Sequence, residues 1–168
     1  MAPATPLRQL RQQLDAMVPP ARAERGARVG FGCGDMDARL DGGLPQAMLH
    51  EVTAAAPADW PSAAASALLL AARCGDARGP ILWLTDQRRQ GGVVGALYPP
   101  GLAELGIDPA RLLAVAAPDG LAQLRAAADI ARCRAAPALV IELAAPLAAL
   151  DLTASRRLLL AAEDSGAT

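Results

Sequence analysis

Glu51-Val52-Thr53-Ala54-Ala55-Ala56-Pro57-Ala58-Asp59-Trp60-Pro61-Ser62 joins a short apolar run, Met48 to Thr53, to a helical run, Pro61 to Cys74. A strand that feeds a helix in this way is the first unit of an alternating α/β chain. Where such a joint cradles a phosphate, glycines let successive N–H groups converge, a lysine neutralises charge, and a Ser or Thr hydroxyl takes the magnesium. Here no glycine occurs between Gly43 and Gly75, and all 16 basic residues of the 168-residue chain are arginines. Pro57 and Pro61 have no N–H to donate, and Asp59 adds a carboxylate that repels phosphate.

The alternation continues on the C-terminal side. Pro80-Ile81-Leu82-Trp83-Leu84 is a continuous apolar run, as expected of a strand buried on both faces. A loop opened by Gly91-Gly92-Val93-Val94-Gly95 leads to a short helix at Leu102 to Leu105. Asp108-Pro109 starts another helical turn, and Leu112 to Val115 reads as a third strand. Asp119 is placed to cap a helix running to about Arg134. Ala138 to Leu143 is a fourth strand carrying Glu142 near its end. Leu152 to Glu163 is a last helix, with Thr153 as its N-cap and Ser165-Gly166 as its stop. Strands separated by helices imply parallel pairing through crossovers.

On the N-terminal side, Gly30-Phe31-Gly32-Cys33-Gly34 breaks the chain and Gly42-Gly43-Leu44-Pro45 turns it. Residues 1–27 read as a separate piece, an amphipathic helix and an Arg-rich connector. Thr5-Pro6 starts that helix, Leu7, Leu10, Leu14 and Met17 or Val18 form its apolar stripe, and Pro19-Pro20 ends it. Residues 28–168 make one domain.

Composition narrows the function classes. The chain is 53% apolar, nearly half of that alanine, with only 2% aromatic residues, so its core packs by close approach of small side chains. A net charge of −1 provides no general field for nucleic acid. Cys33, Cys74 and Cys133 are widely spaced with no CxxC pair, the pattern of free thiols in a reducing compartment. With His50 the single histidine, no metal site is expected. The start of the chain has no signal-peptide pattern, and its longest apolar stretch, Ala63 to Ala72, is short of the ~20 residues that span a bilayer. The expectation is a cytoplasmic protein with no membrane contact.

Leu40, Gly42-Gly43-Leu44-Pro45 and Glu51-Val52 form the lead-in that RecA-like proteins place before their first strand and phosphate loop. Leu97-Tyr98-Pro99-Pro100-Gly101-Leu102, with Leu105-Gly106-Ile107-Asp108-Pro109-Ala110-Arg111-Leu112-Leu113, resembles the ImuA family. So does Leu152-Thr153-Ala154-Ser155-Arg156-Arg157-Leu158 followed by Ala161-Ala162-Glu163. The resemblance covers roughly residues 28 to 168. ImuA-like proteins are bacterial, damage-induced relatives of RecA that act beside ImuB, a polymerase-like protein, and an error-prone replicative polymerase subunit in translesion synthesis.

The resemblance implies an α/β, RecA-like P-loop fold with a parallel sheet and crossover helices, a degenerate nucleotide loop and late strands missing. Laid without gaps on the RecA pattern, Ala54 and Asp59 stand at the two glycines, Trp60 at the lysine and Pro61 at the magnesium-binding hydroxyl, with Ser62 next. The one arginine able to substitute, Arg73, lies at the far end of the following helix. Glu142 falls where RecA-like ATPases hold magnesium through water, and Asp86 near the carboxylate that activates water. No catalytic residue, cofactor or metal is expected at these positions.

Arg88-Arg89, Arg125 with Arg132 and Arg134, and Arg156-Arg157 are the candidates for contact with nucleic acid. Ala144 to Asp151 is too short and too apolar for a DNA-gripping loop, so direct DNA binding is expected to be weak or missing. In the RecA arrangement a further strand lies between the phosphate-loop strand and the strand of Glu142, and Ser165-Gly166-Ala167-Thr168 stands where it would begin. The expectation is either a truncated product or a strand supplied by a partner or a neighbouring copy. The function expected from the resemblance is a non-catalytic adaptor for the ImuB-like and polymerase subunits. Leu7, Leu10 and Leu14 are candidate partner contacts, by analogy with the helix that joins subunits in RecA filaments. Two alternatives are a small RecA-type ATPase with an atypical loop and a damage-induced inhibitor of cell division.

Overall fold

A computed structural model describes residues 27–74, 79–86, 97–143 and 147–168. The expected N-terminal helix with Leu7, Leu10 and Leu14, and the pair Arg88-Arg89, lie outside the described residues.

The fold is mixed α/β, built on a parallel sheet of three strands. Ile81–Asp86 is central, flanked by Leu112–Ala117 and Ala138–Ile141; these are β3, β4 and β5, in the order β4-β3-β5. The register pairs Trp83 with Ala114 on one side and with Val140 on the other. Three longer helices cover the sheet: α2 (Trp60–Arg73), α4 (Gly120–Ala131) and α5 (Leu152–Ser165). Ahead of them, β1 (Arg28–Val29) and β2 (Leu44–Pro45) form a small antiparallel pair around α1 (Gly34–Arg39). The short helix α3 (Pro99–Glu104) precedes β4.

The side-chain period of two explains the layers. Ile81 and Trp83 face one way and pack with Leu68, Ala71 and Cys74 of α2 and its end, together with Val29, Leu102 and Ile107. Leu84 faces the other way and packs with Ala117, Ala127, Ala131, Leu158 and Ala161. α2 therefore covers one face of the sheet and α4 with α5 the other. The alanines on α4 and α5 let those two helices approach closely, which is how so small a stock of large side chains still fills an interior.

The β1–β2 pair depends on Gly43. Its φ is +119°, and a Cβ there would run into the carbonyl of Val29, so only glycine fits. Arg28 Nη1 fastens the same corner by donating to the carbonyls of Leu40 and Gly43, at 3.1 and 2.8 Å.

Three expectations need correction. The run from Met48 to Thr53 is not a strand: it has no ladder partner among the described residues. Next to it, Ala47 N–H donates to Thr168 Oγ1 at 2.8 Å. The outer edge of β5 is met by Thr168, whose N–H donates to the Pro137 carbonyl and whose carbonyl accepts from Leu139 N–H. α4 ends at Ala131, short of Arg134, because tight bonds from Cys133 N–H to Ile130 and from Ala136 N–H to Cys133 turn the chain toward Pro137. The N-cap of α5 is Asp151, not Thr153: its carboxylate accepts from Ala154 N–H at 2.8 Å, and Thr153 lies inside the first turn. Gly166 ends that helix in the left-handed region, at φ +89°.

Candidate functional site

In open parallel sheets, ligands bind outside the carboxyl ends of the strands, where side chains of several elements converge. Among the described residues, side chains of three elements meet at that end. Val140 shares a face with its partner Trp83, and Glu142, two residues further, returns to that face. α2 covers the face and begins with Trp60. The two indoles consequently converge on one carboxylate: Trp60 Nε1 donates to Glu142 Oε1 at 3.1 Å, and Trp83 Nε1 donates to Glu142 Oε2 at 3.2 Å. Trp83 is buried, while Trp60 and Glu142 are half-buried. An acid sits between two neutral donors, one on the helix and one on the central strand.

From the other face, Gln123 of α4 reaches the same end of the sheet. It is 1% exposed, and its Nε2 donates to the carbonyls of Leu84 and Glu142 at 3.1 and 2.8 Å. The Leu84 carbonyl also accepts from Glu142 N–H. Main chain and side chain of Glu142 are thus held from opposite sides.

The joint before α2 does not form a cradle of N–H groups. Pro57–Asp59 is a single 3-10 turn, and Asp59 Oδ2 accepts from Ala56 N–H at 3.1 Å within it. Ala54 is half-buried, while Pro61 and Ser62 are exposed in the first turn of α2. Arg73 is bound elsewhere, donating from Nη1 to the Gly30 carbonyl at 2.8 Å. The glycine-rich segment at 30–34 has also turned its donors inward: Phe31 and Gly32 N–H both donate to the carboxylate of Asp37, at 2.6 and 3.1 Å. Asp86 ends β3 half-buried.

The structure therefore joins Trp60 to Glu142, two residues singled out in the sequence, and leaves Ala54, Asp59, Pro61 and Ser62 as backbone around them. Sequence reasoning missed Trp83 and Gln123. Only a polar residue in the apolar stripe of α4 hinted at the second. Among the described residues, no group of three or more His, Cys, Asp or Glu could hold a metal ion. As chemistry, the arrangement is a hydrogen-bond clamp that ties the start of α2 to β3 and β5. The joint from Ala54 to Ser62 contains no cation, and its one carboxylate, Asp59, is turned into its own turn.

The arginine groups are redistributed. Arg125 and Arg156 are exposed, whereas Arg132, Arg134 and Arg157 line one groove between α4 and α5. No helix among the described residues is long and apolar enough to cross a membrane.

The thiols differ sharply. Cys33 and Cys133 are exposed; Cys74 is buried, its titration pushed up by desolvation and eased down by a hydrogen bond with Thr168. Thiolate is the reactive form. Under native conditions a maleimide should label Cys33 and Cys133 rapidly and Cys74 only after denaturant is added. The raised value means that the fold favours the protonated thiol. Stability from this group is therefore present below the unfolded titration range and lost as pH rises through the folded one.

No protein-family model matches the chain, and no curated protein matches it.

Proposed function

We propose that this chain is a non-catalytic RecA-like protein of the ImuA kind, an adaptor that holds an ImuB-like protein and an error-prone polymerase subunit together in damage-induced translesion synthesis. The observation that carries the non-catalytic half is the Trp60–Glu142–Trp83 clamp. The residue that the resemblance sets in place of the phosphate-binding lysine binds the residue it sets in place of the magnesium ligand. An acid so engaged is not offered to a metal, and an indole has no charge for a phosphate.

The order β4-β3-β5, with parallel strands and helices on both faces, is compatible with the RecA-like half of the reading. So is the local logic of the ImuA-like segment at 97–113. Pro99 and Pro100 open α3, and Gly106 turns out of it at φ +78°. Ile107 is buried, and Asp108 caps the next turn by accepting from Ala110 N–H at 2.9 Å. Arg111 Nε donates to the Gly79 carbonyl at 2.9 Å, fixing β4 beside β3. Each of these residues has a part in placing β4, so the segment supports a shared fold more than a shared chemistry.

The test is affinity capture of the tagged full chain from bacteria treated with a DNA-damaging agent. Recovery of the ImuB-like protein and the polymerase subunit is the expected result. Recovery of the tubulin-like division protein without them would replace this function with the division-inhibitor reading.

A further inference from the structure

The groove between α4 and α5 has a volume of about 470 Å³ and is lined by Arg132, Arg134, Arg157, Leu160, Ala161 and Asp164, with Ser165 at its end. The fold creates it by stopping α4 at Ala131 and fastening the end of α5 beside that stop, through Ser165 Oγ donating to the Ala131 carbonyl at 2.6 Å. Two arginines from the turn after α4 thereby meet a third from α5, more than twenty positions away. Arg132 is partly engaged, with its Nη1 3.2 Å from the Ala128 carbonyl and 3.4 Å from Asp129 Oδ1. Among the described residues Arg134 and Arg157 make no hydrogen bond or ion pair. Both are exposed, beside an apolar floor of Leu160 and Ala161.

We infer that this groove docks an acidic peptide segment of a protein partner, its carboxylates on Arg134 and Arg157 and a short aliphatic side chain on Leu160 and Ala161. A planar guanidinium takes a carboxylate through two parallel N–H bonds, which gives direction as well as charge complementarity. Nucleic acid fits less well: no aromatic side chain lines the groove for base stacking. Asp164 in the wall and Asp129 beside it also interrupt any continuous phosphate track. The groove lies on the opposite face of the sheet from the clamp.

Fluorescence anisotropy with the full chain tests this directly. The probe is a short fluorescein-labelled peptide of glutamates around one leucine, and a labelled single-stranded oligonucleotide of similar charge serves as competitor class. The peptide should bind at low salt and weaken as salt is raised. Binding should fall about tenfold or more in Arg134→Glu/Arg157→Glu, and to a lesser degree in Arg134→Gln/Arg157→Gln. Both pairs are surface changes, and unaltered thermal melting would establish that the fold is intact. No binding of the peptide at millimolar concentration, binding unaffected by both double variants, or tighter binding of the oligonucleotide would each overturn the inference.

Discussion

Glu142→Ala should melt roughly 5–10 °C below the unaltered chain, and its tryptophan emission should change with it. The carboxylate accepts from two indoles, and one of them, Trp83, is buried in the core against α2. Removing the acid strips both donors of their partner, and a buried donor left unpaired costs about 1–3 kcal/mol. The sum, about 2–3 kcal/mol after the exposed side of Trp60 is allowed its water, corresponds to that interval for a domain of this size. Glu142→Gln keeps one acceptor oxygen and should lose about half as much. Differential scanning calorimetry measures the first effect. Intrinsic fluorescence measures the second without ambiguity, because Trp60 and Trp83 are the two tryptophans of the chain. Identical melting of Glu142→Ala and the native chain would mean that the clamp holds nothing.

Gln123→Leu should be destabilised by a similar amount, about 2–3 kcal/mol, although leucine matches glutamine closely in volume and suits an apolar surrounding. The loss comes from the carbonyls. Gln123 Nε2 serves both Leu84 and Glu142 at the point where β3 and β5 stop pairing, and leucine has nothing to donate. Urea unfolding reads this as a lower midpoint with an unchanged slope. Gln123→Glu sharpens the test. A protonated carboxyl can still donate to a carbonyl and a carboxylate cannot, so that variant should lose stability as pH rises from the acid side. If Gln123→Leu is as stable as the native chain, the amide bridge is not what holds the end of the sheet.

How much of this could be read beforehand depends on the range of the forces involved. β3, β4 and β5 were legible because each is a continuous apolar run, although only β3 is largely buried and β4 leaves Leu113 and Ala114 exposed. Asp119 was legible as a cap because its carboxylate acts three residues away. The clamp was not. Trp60 and Glu142 are 82 positions apart, and Trp83 and Glu142 are 59 apart, so no local pattern connects them until the register of β3 on β5 is known. The run at 48–53 misled for the converse reason: strand composition is local, but a strand exists only where a ladder partner lies beside it. At α5, both Asp151 and Thr153 have the chemistry of a cap. The choice fell to the backbone, which is extended at Asp151. Arg132 and Arg134 read as a continuation of α4 because arginine is a good helix former. The turn that removes them from the helix is the same one that brings them to Arg157.

The clamp also offers the most direct measurement of whether this site has left nucleotide chemistry behind. Titrating the full chain with magnesium and ATP into the millimolar range, while recording tryptophan emission and melting temperature, probes the two indoles at the position in question. A bound ligand at 100 times its Kd would add about 2.7 kcal/mol of stability, an increment that is easily seen. The account predicts flat emission and an unmoved transition. A saturable change in emission accompanied by a rising melting temperature would contradict it, because a triphosphate would then have opened the contact between Trp60, Trp83 and Glu142.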